Sequence, residues 1–184
     1  AGLLIIAFVV GTYIYYNNSK KNDLESNSAI GIAMIAYSNA DYENAKFQFE
    51  TVISNFNGTD GSNMAHYFLG KIAFKNNNYD EAIIYLNKYI NSASGPIIAC
   101  GAIRLLHSIS SQNGNHAECL DILKKGNKFK LGMGSKLELE LLEVYTNIKL
   151  NDFASARKKI DKILQLKKIP SSIRQKADEL NGMM

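Results

Sequence analysis

The five residues Asn78–Ala82, NYDEA, recur in altered form as DYENA at 41–45, NHAEC at 115–119 and DFASA at 152–156. Their last residues fall at 45, 82, 119 and 156, so each step is 37. Equal steps of this size mark an internal repeat, in which each unit is one supersecondary structure that buries its apolar face only against its neighbours. Other positions keep the same phase. Gly58, Gly95 and Gly132 lie one step apart, and Pro96 and Pro170 lie two steps apart.

Each string sits between two apolar stretches of helical period. In the second unit Leu69, Gly70, Ala73 and Phe74 share one face of a first helix, and Ala82, Leu86, Tyr89 and Ile90 share one face of a second. The repeat is therefore a helical hairpin. The small residue at Ala45, Ala82, Cys119 and Ala156 allows the second helix to approach the first closely, and Tyr42, Tyr79, His116 and Phe153 cover the turn. Gly58, Gly95 and Gly132 fall just past the second helices, where a left-handed residue can end a helix. Pro96 and Pro170 lie where the next helix can begin without their missing N–H.

Residues 63–90, NMAHYFLGKIAFKNNNYDEAIIYLNKYI, resemble a tetratricopeptide repeat through Leu69-Gly70, Tyr79-Asp80-Glu81-Ala82 and Leu86. That family repeats at about 34 residues, so each loop between units here is expected to carry about three more. The first unit fits through Ala33, Asp41-Tyr42 and Ala45 to Phe49; the third and fourth place His107 and Val144 where a small residue is usual. The stretch GTDGSNMAHYFLGKIAF (58–74) followed by YDEAI (79–83) resembles the YfgM-like family of bacterial inner-membrane proteins. That resemblance implies a periplasmic repeat domain, single-pass anchoring in the inner membrane, and association with the Sec translocon and periplasmic chaperones.

The expected architecture is all-α: a tetratricopeptide-like superhelix of about four hairpins over residues 26–168, with a capping helix over 169–184 in which Ser172 is an N-cap candidate. Residues 1–16, AGLLIIAFVVGTYIYY, carry no charge and read as an N-terminal transmembrane helix, with 17–25 a polar linker. Sixteen residues rise about 24 Å against a bilayer core of about 30 Å, and the chain starts at Ala, so a complete span is expected to use upstream residues. A cleaved signal peptide is the rival reading, but the stretch has no basic n-region and no Ala-x-Ala site. Lys20 and Lys21 by themselves favour a cytoplasmic C-terminal side.

First helices line the inner wall of such a superhelix, a surface suited to extended peptides or partner helices. Register places there Met34 and Tyr37, then Tyr67, Lys71, Phe74 and Lys75, then Arg104 and Ser108, and finally Tyr145, together with Ile30, Met64, Leu141 and Ile148. Aromatic and Met area beside cations suits an apolar segment bearing a carboxylate, although aromatics at helical spacing equally suit packing between units. The clamp that holds chaperone tails in some tetratricopeptide domains uses Lys and Asn where this chain has Ile30 and Met34.

Other chemistry finds little support in the residues. The 21 basic and 17 acidic side chains are interspersed, so nucleic acid is not implied. Lys124-Lys125, Arg157 to Lys159 and Lys167-Lys168 read as solvated helix faces, with anionic lipid as the lesser alternative. Cys100 and Cys119 are too few for a disulfide framework, are placed too far apart along antiparallel helices to bridge, and form no metal motif with His66, His107 or His116. Asn17-Asn18-Ser19 and Asn57-Gly58-Thr59 fit a glycosylation sequon by composition alone, and Gly132-Met133-Gly134 lacks the Lys of a phosphate loop. No cofactor and no metal are expected. The expected function is a non-enzymatic, membrane-anchored scaffold binding proteins or extended peptides, with a translocon-associated, chaperone-like role. An envelope-assembly or cell-division adaptor is the alternative, and a hydrolase is the alternative of another class.

Overall fold

The computed structural model describes residues 2–92 and 95–184, with the side chains of 2–11 and 13–17 left outside the description. Among the described residues are nine α-helices and no strand: α1 Gly2–Ser38, α2 Tyr42–Asn55, α3 Asp60–Lys75, α4 Tyr79–Asn91, α5 Pro96–Gln112, α6 His116–Lys124, α7 Met133–Lys149, α8 Phe153–Leu164 and α9 Ser171–Asn181. A short 3-10 helix, Lys125–Lys128, continues α6. The chain divides into two compact units, residues 1–88 and 89–184, with the division inside α4.

The repeat seen in the sequence is the repeat of the helices. Tyr42, Tyr79, His116 and Phe153 are the first residues of α2, α4, α6 and α8. Ala45, Ala82, Cys119 and Ala156 are all 0% exposed, so the small residue sits where no larger side chain has room. The third and fourth hairpins thus share the packing of the first two despite their weaker sequence resemblance.

The turn inside each hairpin carries a periodic feature that the sequence reading missed. Ala40, Asn77, Gly114 and Asn151 have φ of 59°, 59°, 74° and 60°, and they lie at the 37-residue spacing. In each turn the N–H of the left-handed residue donates to the carbonyl three residues back, as Ala40 to Tyr37 at 3.1 Å. The next N–H donates five residues back: Asp41 to Ala36 at 3.0 Å, Asn78 to Ala73 at 2.9 Å, Asn115 to Ser110 at 2.9 Å and Asp152 to Asn147 at 2.8 Å. These paired bonds form the Schellman motif, which satisfies carbonyls otherwise orphaned at a helix C-terminus. Asp41 and Asp152 then cap α2 and α8 by accepting from the Asn44 and Ser155 backbone N–H groups.

Of the glycines expected to be left-handed, only Gly58 is, with φ 84°. Gly95 and Gly132 have φ of −47° and −64° with extended ψ of 144° and 160°, and stand at the N-caps of α5 and α7. Pro96 opens α5 as expected. Ser172 is not the N-cap of α9; Pro170 is, and its carbonyl accepts from the Ile173 and Arg174 N–H groups at 3.0 Å.

In the first unit Phe49, Val52, Ala33, Ala45, Phe68 and Leu69 are buried in one core between α1, α2 and α3. Gly70 permits the α4 approach: a Cβ placed there would lie 2.8 Å from Leu86 Cγ. In the second unit Leu137, Val144, Ile148, Ile160 and Ile163 form a core that α9 covers with Ile173 and Ala177, as expected of a terminal helix on a repeat array. Ile30, Leu141 and Ile148, placed by register on the binding wall, are core residues at 6%, 5% and 8% exposure.

Helix α1 runs unbroken for 37 residues, so the stretch 17–25 is helical, with a Lys21–Glu25 ion pair at i,i+4 spacing. The transmembrane reading of 1–16 rests on side chains outside the described set. Among the described residues no helix is long and apolar enough to cross a membrane.

Three substitutions separate turn geometry from packing. Replacing Ala40, which meets its left-handed φ with a Cβ, by Gly is expected to stabilise the fold by about 1 kcal/mol, and Gly114→Ala to destabilise it by about as much. Gly70→Ala is expected to cost about 1–3 kcal/mol through the Leu86 clash. Urea denaturation midpoints check all three.

Candidate functional site

The candidate residues of the first unit gather around Lys71. Its ammonium lies 5.1 Å from the ring centre of Tyr37, 5.6 Å from that of Tyr67 and 5.5 Å from that of Phe68. Tyr37 and Tyr67 both meet Phe68 edge-on, at centroid distances of 5.1 and 5.3 Å, and Phe68 stacks on buried Phe49 at 5.3 Å. The rings are thus fixed from below by the core while Tyr37 and Tyr67 stay half-exposed above it. Met34 and Met64, also half-buried, extend the same apolar ledge along α1 and α3.

This ledge can do two things at once. A cation over aromatic faces is held by the ring quadrupoles, an attraction of about 0.5–1 kcal/mol at exposed sites, and this leaves its N–H donors free for an anion. Among the described residues no carboxylate pairs with Lys71. Tyr and Met supply contact area at low ordering cost.

Lys75 and Phe74 behave differently, because both are engaged with hairpin turns. The Lys75 ammonium lies 4.1 Å over the Tyr42 ring and donates to its hydroxyl at 2.9 Å, while Phe74 packs on Tyr79 at 5.7 Å. Tyr42 and Tyr79 were expected to cover these turns, and the two residues taken as groove lining are what they cover them with.

In the second unit Arg104 is paired: it donates to the Glu138 carboxylate at 2.9 Å. The pair borders a cleft of about 240 Å³ that also includes Leu141, Leu142, Tyr145 and, from α9, Lys176, Glu179 and Leu180. The capping helix therefore forms one wall of the cleft, a contribution that register along the first helices cannot reveal. Ser108 stands outside it, accepting from Gln112 at 3.1 Å.

His66, His107, Cys100 and Cys119 are buried among the helices. His66 Nδ1 donates to the Ser62 carbonyl at 2.9 Å. His107 occupies the position held by Gly70 one repeat earlier; its Nε2 meets the Thr146 hydroxyl at 2.9 Å. Thr146 spends its own proton on the Leu142 carbonyl at 2.8 Å, so His107 must be the donor. Burial pushes the pKa of both imidazoles down; the Ser62 bond opposes this at His66, and His116 adds to it at His107. Cys100 and Cys119 are free, buried thiols whose pKa values burial raises, the opposite of a reactive cysteine. No group of His, Cys, Asp and Glu able to hold a metal occurs among the described residues.

Residues 1–131 match the family model described as a tetratricopeptide repeat-like domain. The chain belongs to that family, whose hairpins mediate protein–protein interaction. No curated protein matches it.

A histidine with a depressed folded pKa binds fewer protons than its unfolded counterpart, so its contribution to stability is complete above the unfolded value of 6.5 and is lost as pH falls below it. Stability is expected to fall between about pH 7.5 and pH 5.5, before most carboxylates titrate. His107→Gln, which keeps a donor toward Thr146, is expected to flatten that slope, read from urea midpoints at both pH values.

Proposed function

We propose that this protein is a membrane-tethered tetratricopeptide scaffold, without enzymatic activity, that holds partner proteins or extended peptides in a translocon-associated, chaperone-like role at a bacterial inner membrane. The observation that carries the binding reading is the ledge on α1 and α3: aromatic faces locked by Phe68 and Phe49, with the Lys71 cation among them and, among the described residues, no carboxylate paired with it. An apolar segment carrying a carboxylate suits such a surface. Within the ledge Met34, Tyr37, Tyr67 and Lys71 make the contacts, while the Arg104, Glu138 and Tyr145 cleft is a separate element of the second unit.

The tether reading rests on the uncharged residues 1–16, with tyrosines at 13, 15 and 16 suited to the headgroup layer. The family match starts at residue 1 and so includes this stretch. A periplasmic repeat domain and the Sec translocon as partner rest on the resemblance carried by residues 58–74 and 79–83.

Photo-cross-linking in cells tests both halves. A photoreactive side chain at Tyr67 is expected to capture translocon or periplasmic chaperone components, whereas the same group at exposed Lys158 on α8 captures none of them. Equal capture at both positions overturns the ledge, and recovery of no such component overturns the assigned role. The chain is expected to stay with membranes after alkaline extraction, and a variant lacking residues 1–16 to be released.

A further inference from the structure

The third hairpin breaks the repeat at one buried position. Val52, Tyr89 and Ile163, at 2%, 0% and 1% exposure, fill the same place near the end of three second helices; the third hairpin has Gly126 there. Next to it Asn127 stands where the other units have Ile53, Ile90 and Leu164. With no side chain to anchor the last turn, the helix tightens from α to 3-10 over Lys125–Lys128. Leu139 of α7 moves in, its Cδ1 lying 2.7 Å from where a Gly126 Cβ would be.

The missing volume is not fully recovered, and a cleft of about 530 Å³ remains between α6, the 3-10 turn and α7. That is within the usual size of ligand pockets, about 300–1,000 Å³. Leu123, Leu131, Leu139 and Phe129 make its floor, and Lys130 and Lys136 stand at its rim. Of the other charges in the lining, Lys159 is paired with Glu143, and Lys124 with Asp121 nearby. Glu140 is the remaining acid, so the lining carries four cations against two anions, and among the described residues Lys130 and Lys136 have no ion-pair partner.

The cleft is separate from the surfaces described above. Its α7 residues, Lys136, Leu139, Glu140 and Glu143, form one stripe; Glu138, Leu141, Leu142 and Tyr145, which line the smaller cleft, form another. Stripes offset by two residues lie about 200° apart around a helix. We infer that the Gly126 cleft is a second protein-binding site, taking an acidic segment of a partner that is anchored by one apolar side chain. This inference rests on the reading of the chain as a protein-binding scaffold. The apolar floor takes the anchor, and Lys130 and Lys136 meet carboxylates on either side of it.

The test uses the purified full chain in detergent and a fluorescein-labelled peptide, Asp-Glu-Leu-Phe-Glu-Asp, followed by fluorescence anisotropy. The parent chain is expected to bind it in a salt-sensitive manner, since exposed charge pairs weaken as the screening length shrinks. The double variant Lys130→Glu/Lys136→Glu, which alters two surface residues and should retain its helical circular dichroism, is expected to weaken binding at least about tenfold, ~1.4 kcal/mol. Lys158→Ala, at an exposed α8 position outside both surfaces, is expected to leave it within about twofold, ~0.4 kcal/mol, while Tyr67→Ala/Lys71→Ala, which disables the ledge, reads whether that surface takes the peptide instead. The inference is overturned by no binding to the parent chain, equal binding of a Lys-Arg-Leu-Phe-Arg-Lys peptide, indifference to the double variant, or binding only to phosphatidylglycerol vesicles. Loss of binding in the Tyr67/Lys71 variant alone would also overturn it while supporting the ledge, so the two readings fail separately.

Discussion

Each hairpin depends on one left-handed residue. A first helix cannot end and reverse within three residues unless its last carbonyls find donors, and the Schellman bonds at Ala40, Asn77, Gly114 and Asn151 supply them. That reversal sets the second helix antiparallel and close, and the fully buried residue three to four positions into it must then be small. Ala45, Ala82, Cys119 and Ala156 follow from the turn as much as from the packing. A non-glycine residue in this conformation is strained, and asparagine tolerates it best. Asn77 and Asn151 are therefore natural occupants, Gly114 unstrained, and Ala40 the least suited.

The same regularity shows what the chain has spent on function. A repeat array buries its core wherever each unit repeats its apolar positions, and departures from the pattern are places where core is exchanged for something else. His107 in place of Gly70 is one such departure, resolved internally by the bond to Thr146. Gly126 in place of Tyr89 is another, and it is not resolved internally: the neighbouring leucine fills part of the gap and a cleft keeps the rest. The cations follow a similar division. Arg104 is paired with Glu138 and Lys75 is held by the Tyr42 hydroxyl and ring, whereas among the described residues no carboxylate pairs with Lys71. An ion pair at the surface contributes little to stability, but it removes a charge that a ligand could otherwise meet.

What the sequence determined by itself was the repeat. A spacing of 37 residues, small residues at one position of each unit and aromatics three before them define helical hairpins, because helix packing is periodic and local in the chain. The capping helix was legible for a related reason, since an apolar stripe at Ile173, Ala177 and Leu180 must be covered by something. Conformation at the glycines was not legible. Gly95 and Gly132 are N-caps and Gly58 is left-handed, and the difference lies in where each preceding helix happens to release the chain. Pro170 displaced Ser172 as the N-cap of α9 for the same cause.

Which candidate residues meet, and which cations remain open, was decided only by the tertiary structure. Register along the first helices placed thirteen residues on a common wall, but burial withdrew Ile30, Leu141 and Ile148 from it and the turns occupied Phe74 and Lys75. Phe68 beneath Lys71, Glu138 beside Arg104 and the α9 side of the smaller cleft come from other helices, and no spacing within one helix encodes them. A repeat states which residues share a face, because that follows from the period of the helix. Whether a face is core, turn or open surface depends on what the neighbouring helix places against it.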